Sequence, residues 1–310
     1  MYNGVIIVDK EAGFTSFDVV AKLRGIFKQK KIGHTGTLDP DATGVLPVCL
    51  GQATKLCDML TDKDKTYEAV MLLGRITDTQ DTSGKILEEC DVISKREAGQ
   101  LSDEQLMATI MSFVGDYSQI PPMYSALKVN GKKLYEFARA GVEVERKPRP
   151  VKILSIDNVR IEFPRVYMRV ECSKGTYIRT LCHDIGKKLG CGACMENLRR
   201  TRVSSFDITD SLKLGKISEI MDNGEDISKY IISVDEVFKD YPSISTLEKF
   251  DKLLYNGNRV EKNMLSDCDG VWTDGMKFKM YDSKGNFIGI FYYSKKDEII
   301  KCDKMFFTAE

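Results

Sequence analysis

The 310-residue chain has only two histidines and no excess of charge of either sign, since 46 lysines and arginines balance 46 aspartates and glutamates. Its first apolar stretch, Val5 to Val8, has no basic segment before it and is far too short for a signal peptide or a membrane span. There is no Gly-x-Gly-x-x-Gly pattern and no P-loop, which excludes the usual dinucleotide and nucleoside triphosphate cradles. Nine cysteines, an odd number without regular spacing, suit a reducing compartment better than a disulfide framework, so a cytoplasmic protein is expected. One zinc arrangement is worth weighing, because Cys182-His183 precedes Cys191-Gly192-Ala193-Cys194. Adjacent donors on one helix point apart, and no metal is expected.

What remains is a composition of 42% hydrophobic and 30% charged residues, ordinary for a soluble protein and long enough for a sizeable core with a small appended domain. The balanced charge is unevenly spread. Cations gather at Arg24, Lys28, Lys30 and Lys31, and again between Lys128 and Lys152, whereas acids gather between Asp78 and Asp91 and between Asp222 and Glu236. Each run alone reads as a solvated face. Two basic segments on either side of a catalytic loop instead suggest a groove that tracks phosphates.

Local signals predict interspersed helices and strands. Thr15 with Asp18, and Ser102 with Gln105, are capping-box pairs opening helices. Thr176 is a candidate cap for a helix running to about Leu189 and closed by Gly190. Tyr67 to Leu73, Val151 to Phe163 and Val166 to Ser173 read as strands, and Lys133 to Ala140 as a short helix. Val45 to Leu50 reads as a buried strand in which Pro47 argues for an edge or a bulge. With no regular βαβ period, the fold class expected is α+β, with a mixed, largely antiparallel sheet flanked by helices. After about Tyr241, short strands are expected at Leu253–Val260, Gly270–Trp272, Met280–Tyr281, Gly285–Tyr293 and Lys304–Phe307, as a small β-rich domain.

The segment of greatest chemical interest is Gly33 to Gly51, G-H-T-G-T-L-D-P-D-A-T-G-V-L-P-V-C-L-G. Pro40 fixes its own φ and drives Asp39 out of the α region, so the carboxylate sits on a stiff turn. An isolated Asp-Pro merely starts a turn. Here it precedes a buried strand, a common way to present a catalytic acid.

This segment resembles the signature of the TruB family of tRNA pseudouridine synthases, G-H-T-G-x-L-D-P-x-A-x-G. The resemblance extends to Val8-Asp9-Lys10, with Glu11 where that family usually has proline, to Lys65-Thr66-Tyr67, to Gly175-Thr176-Tyr177-Ile178-Arg179-Thr180-Leu181 and to Leu198-Arg199-Arg200. It implies that Asp39 is the essential residue, that Arg179 offsets its charge, and that Tyr67 stacks on the flipped uracil and takes the C5 proton. It also implies that Leu198 covers the other side of the base. His34 is either a buried histidine holding the loop or a wedge in the emptied stack. Lys10 and Arg200 are expected as phosphate-binding or loop-anchoring cations.

The implied organisation is a pseudouridine synthase-like catalytic domain at 1–240, carrying a thumb-like RNA-gripping insertion at about 121–150, and a PUA-like β-rich domain at 241–310. The implied reaction is isomerisation of uridine 55 in the tRNA T stem-loop by a monomer, with no cofactor, guide RNA or membrane. A guide-RNA-dependent relative acting on ribosomal RNA, and an RNA-binding or folding protein with incidental catalysis, are the competing readings.

Overall fold

A computed structural model describes residues 1–129, 131–266 and 270–307. Strand β1 (Gly4–Lys10) leads to helix α1 (Ser16–Phe27), then β2 (Ile32–His34), β3 (Thr43–Leu50), α2 (Cys57–Thr61) and β4 (Lys65–Leu73). A hairpin of β5 (Arg75–Thr77) and β6 (Ile86–Glu89) precedes α3 (Val92–Glu97), α4 (Asp103–Met111) and β7 (Gly115–Gln119). Between β7 and β10 lie β8 (Lys128–Val129), β9 (Lys132–Lys133) and α5 (Leu134–Arg139). There follow β10 (Arg149–Glu162), β11 (Arg165–Cys172), α6 (Ile178–Lys188), β12 (Ala193–Val203), β13 (Phe206–Asp207), α7 (Leu214–Asp222) and β14 (Ile231–Ile232). The last part holds β15 (Ser243–Ser245), α8 (Asp251–Tyr255), β16 (Lys277–Tyr281), β17 (Phe287–Ser294) and β18 (Ile299–Met305).

The main sheet runs β14-β1-β3-β12-β4-β11-β10-β7, with β2 added to β3 and β13 to β12. Its pairs are antiparallel except for the short parallel contact of β12 with β3, so the mixed, largely antiparallel α+β expectation holds. That parallel contact is the seam where the site forms. It sets Arg200 opposite Gly44 on one side and Tyr67 on the other. Gly44 adopts φ +104°, and a Cβ there would stand 2.1 Å from the Arg200 carbonyl oxygen, so only glycine lets the two strands meet.

Pro47 does not lie on an edge: β3 is paired to β1 along its whole length. Its carbonyl faces the other way and accepts from Thr35 N at 3.2 Å, and Thr35 O, which the missing N–H would have met, accepts instead from the Thr61 hydroxyl at 2.9 Å, just where β2 ends. The capping boxes at Thr15 and Ser102 both form. Thr176 does not cap α6. Its hydroxyl turns back to Ser173 O, and the N-cap is Tyr177, whose side chain makes no capping bond.

The second sheet, β15-β16-β17-β18, is antiparallel apart from β15 with β16. Leu253–Val260 departs from the expected strand, since its first residues belong to α8 and only Val260 bridges, to Ile300. Gly270–Trp272 is likewise outside any strand, although Trp272 is buried against Phe278 and Tyr293. Ile290 and Phe306 of this sheet pack with Val5, Ile7 and Cys49, so one apolar cluster joins the second sheet to the back of the first.

Candidate active site

The chain from Thr35 to Ala42 crosses between β2 and β3, and each carbonyl from Thr35 to Pro40 has a partner. Ser16 at the start of α1 accepts from Leu38 N at 2.9 Å, Gly13 N donates to Pro40 O at 3.0 Å, and Ala42 N closes a turn on Asp39 O at 3.1 Å. Two buried cations hold the rest. Lys10, wholly buried, donates from Nζ to Pro40 O at 2.8 Å, Phe14 O at 2.6 Å and Glu11 O at 3.0 Å. Arg200, also buried, donates from Nε to Val45 O at 2.8 Å and reaches Gly36 O and Thr37 O at 3.4 Å. Burial lowers the Lys10 pKa to about 8, with Asp41 and Asp39 opposing it, so it stays largely charged at neutral pH. Both cations are buried and bond to backbone carbonyls in and beside the loop, the geometry of the loop-anchoring one of their two expected roles.

Asp39 projects from this fixed turn onto Arg179. Arg179 Nη2 donates to Asp39 Oδ1 at 3.4 Å, and Nε lies 3.0 Å from Oδ2 without the alignment of a hydrogen bond, so the contact is an ion pair with one weak bond across it. The two partners differ in exposure, with 42% of the Asp39 side chain open to solvent against 5% for Arg179. The anion is therefore the accessible half of the pair.

Arg179 is held by more than its carboxylate. Nη1 donates to Thr79 O at 3.0 Å, Nη2 to Tyr124 O at 2.8 Å, and Asp81 Oδ2 stands 3.5 Å from Nη1. Asp81 is itself fixed by Thr79 Oγ1 at 2.7 Å and by Ser83 N and Oγ. Asp81, Thr79 and Tyr124 were not legible as site residues. Asp81 sits in an acidic run that reads as a solvated face, and the other two meet Arg179 only through backbone carbonyls, which no sequence pattern announces.

The pKa of Asp39 lies above its ordinary value of 3.8. Burial is the largest cause and Arg179 opposes it, with Asp81 and Asp41 raising the value and Lys10 lowering it. Removal of water outweighs the guanidinium, which offsets only part of the rise.

Tyr67 and Leu198 lie on neighbouring strands and share an apolar cluster with Leu38 and Ala42 of the loop. Burial pushes the Tyr67 phenol up to about 12, and the Arg200 guanidinium beside it pulls the other way. His34 ends β2 half-buried, with Nδ1 accepting from Gly36 N at 3.3 Å. Burial and Arg200 lower its pKa, so the ring is neutral at pH 7. It therefore makes the loop-holding bond that one of its two expected readings requires. Among the described residues, no three His, Cys, Asp or Glu side chains converge as metal ligands.

A broad, largely antiparallel sheet thus carries one accessible aspartate on a buried arginine. The chain aligns with a TM-score of 0.71 and 25% identity to the structure of a Cbf5–Nop10–Gar1 complex, covering 98% of this chain and 85% of that one. An H/ACA RNP bound to a substrate RNA containing 2′-deoxyuridine gives the same TM-score and coverage at 23% identity.

Residues 24–178 match the TruB family pseudouridylate synthase N-terminal domain, and residues 179–239 the tRNA pseudouridylate synthase B C-terminal domain. A tRNA pseudouridine synthase B from Lachnoclostridium phytofermentans is 50% identical over 98% of this chain and 99% of its own. Another, from Clostridium acetobutylicum, is 46% identical over 93% and 94%. The chain belongs to the TruB family.

Proposed function

We propose that this protein isomerises uridine 55 in the T arm of tRNA to pseudouridine, as a monomer working without a guide RNA, with Asp39 as its essential group. Isomerisation of uridine to pseudouridine in tRNA is the activity of its family. The observation that carries the site assignment is the asymmetric ion pair, a buried arginine holding an aspartate whose carboxylate remains open.

The reaction breaks the bond from ribose C1′ to uracil N1, joins C1′ to C5, and moves one proton from C5 to N1. Atoms and electrons balance with no other reactant. The base must first leave the helical stack, at a cost of a few kcal/mol. Stacking on Tyr67, with Leu198 opposite, returns on the order of 1–3 kcal/mol. Arg179 keeps enough of Asp39 ionised for it to act, on the sugar or on the base. Tyr67 is protonated at rest, and Arg200 is the cation that favours the phenolate needed to accept the C5 proton. His34, neutral and beside the loop, fills the space vacated by the base. Lys10 and Arg200 keep the loop from yielding.

The same fold occurs in an H/ACA RNP and a Cbf5–Nop10–Gar1 complex, but the relatives at 43–50% identity over nearly the whole chain bear the name tRNA pseudouridine synthase B, which favours the free-standing reading. The test is release of tritium to water from T-arm RNA labelled at uridine C5. Wild type is expected to release it with no guide RNA, and Asp39→Asn to release none. Activity retained by that variant would mean that a different carboxylate does the chemistry.

A further inference from the structure

We propose that Gln119 is a positioning residue for this reaction, gripping the backbone of Tyr177 and so setting the angle at which Arg179 meets Asp39. The assignment rests on the functional reading above and adds to it a residue that touches neither substrate nor the reacting carboxylate.

Gln119 is the last residue of β7 and is 1% exposed. Its amide closes a two-bond ring on Tyr177: Tyr177 N donates to Oε1 at 2.8 Å and Nε2 donates to Tyr177 O at 3.0 Å. A buried carboxamide must satisfy both ends, and here one backbone residue does so. Tyr177 is the N-cap of α6 and has no side-chain cap of its own, and its carbonyl also accepts the first helical bond, from Leu181 N at 3.0 Å. The Gln119 amide thus pins the N-cap residue itself, without capping the free N–H groups of the first turn, and fixes the direction in which the helix starts. Arg179 sits in that first turn, where a small tilt moves a long side chain by much more at its tip.

Gln119 also stands where the segment between β7 and β10 leaves and returns. Arg149 of β10 pairs with it in the sheet, and a few residues beyond it Tyr124 O accepts from Arg179 Nη2. One side chain therefore ties the helix that donates to the strand whose continuation accepts. The groups facing Asp39 are Arg179 from α6, Asp81 from the turn after β5, Lys10 from β1 and Asp41 from its own loop, and it acts in turn on the phenols of Tyr67 and Tyr177. Arg179 is the strongest of those favouring the carboxylate, and burial already works against it. A guanidinium set at the wrong angle leaves Asp39 protonated to higher pH.

The experiment is single-turnover tritium release across pH 5.5–9.5 for wild type, Gln119→Leu and Gln119→Glu, with Asp39→Asn as reference, active fraction from the amplitude, and RNA affinity by filter retention. Leucine removes both bonds. Ionised glutamate keeps the bond from Tyr177 N and loses the other, so it is expected to fall between. For Gln119→Leu the rate at pH 7 is expected to drop about tenfold, the acid limb to move up by roughly half to one pH unit, and RNA affinity to stay within about twofold. Should the leucine variant fail to fold, the glutamate variant carries the same reading. A loss confined to amplitude or to RNA affinity, with the limb unmoved in both variants, makes Gln119 merely structural and overturns the assignment. Absence of release from wild type, or release by Asp39→Asn, sinks the functional reading and takes the Gln119 assignment down with it.

Discussion

At the residue scale, the balance around Asp39 decides what the site can do. A carboxylate in water has shed its proton long before pH 7, whereas this one is held above its usual range by burial and rescued only in part by Arg179. Turnover is expected to rise with pH along an acid limb lying above the ordinary aspartate value, because the ionised form is the working one. Tyr67 separates two contributions of one side chain, a ring that stacks and a hydroxyl that moves a proton. Tyr67→Phe keeps the ring, so RNA binding is expected within about threefold of wild type while tritium release is lost, a fall of about 100-fold or more. Preserved turnover in that variant would reduce Tyr67 to a platform.

At the element scale, the loop is rigid because strands and helices around it donate to its carbonyls. Asp-Pro stiffens two residues, but Lys10 from β1, Ser16 from α1 and Arg200 from β12 immobilise the whole turn. Replacing Lys10 with methionine takes the ammonium from three carbonyls, of which only Pro40 O keeps another donor, Gly13 N, and a stability loss of about 2–4 kcal/mol is expected by denaturant titration. The ammonium also has a pH signature. Its folded pKa of about 8 is below its unfolded value of 10.5, so between these the unfolded chain binds more protons and stability rises with pH. That rise should be smaller in Lys10→Met than in wild type when melting temperatures are compared across pH 8–10. Gly44→Ala tests the seam itself. A Cβ 2.1 Å from a backbone oxygen, at φ +104°, cannot be relieved by a side-chain rotation, so about 3 kcal/mol or more of stability should be lost.

At the scale of the whole molecule, a net charge of zero conceals an uneven spread of cations. Lys128 and Lys132 are exposed on the segment between β7 and β10, whose Tyr124 carbonyl reaches Arg179. If phosphates bind there, affinity for T-arm RNA should fall by an order of magnitude or more between 50 and 200 mM salt. The double substitution Lys128→Ala, Lys132→Ala should flatten the salt dependence by about two phosphate contacts while leaving single-turnover chemistry at saturating protein near wild type. An unchanged slope would place the RNA elsewhere.

Much of the local structure was legible in the chain because it depends on near neighbours. Thr15 with Asp18 and Ser102 with Gln105 cap helices across one turn, alternation marks β4, β10 and β11, and the Gly33–Gly51 segment singles out Asp39. Thr176 misled for the same reason: its local pattern suits a cap, but a glutamine from β7 reached the helix start first. Pro47 misled because whether a missing N–H matters depends on which strand lies beside it. Only the tertiary structure decided that Lys10 and Arg200 face inward, that Asp81 shares Arg179 with Asp39, and that burial rather than the guanidinium governs the Asp39 proton. The reason is physical. A side chain's identity and its turn-forming habits are carried by a few adjacent residues, whereas its solvation and its charge partners are set by groups a hundred or more residues away that meet it only once the sheet has closed.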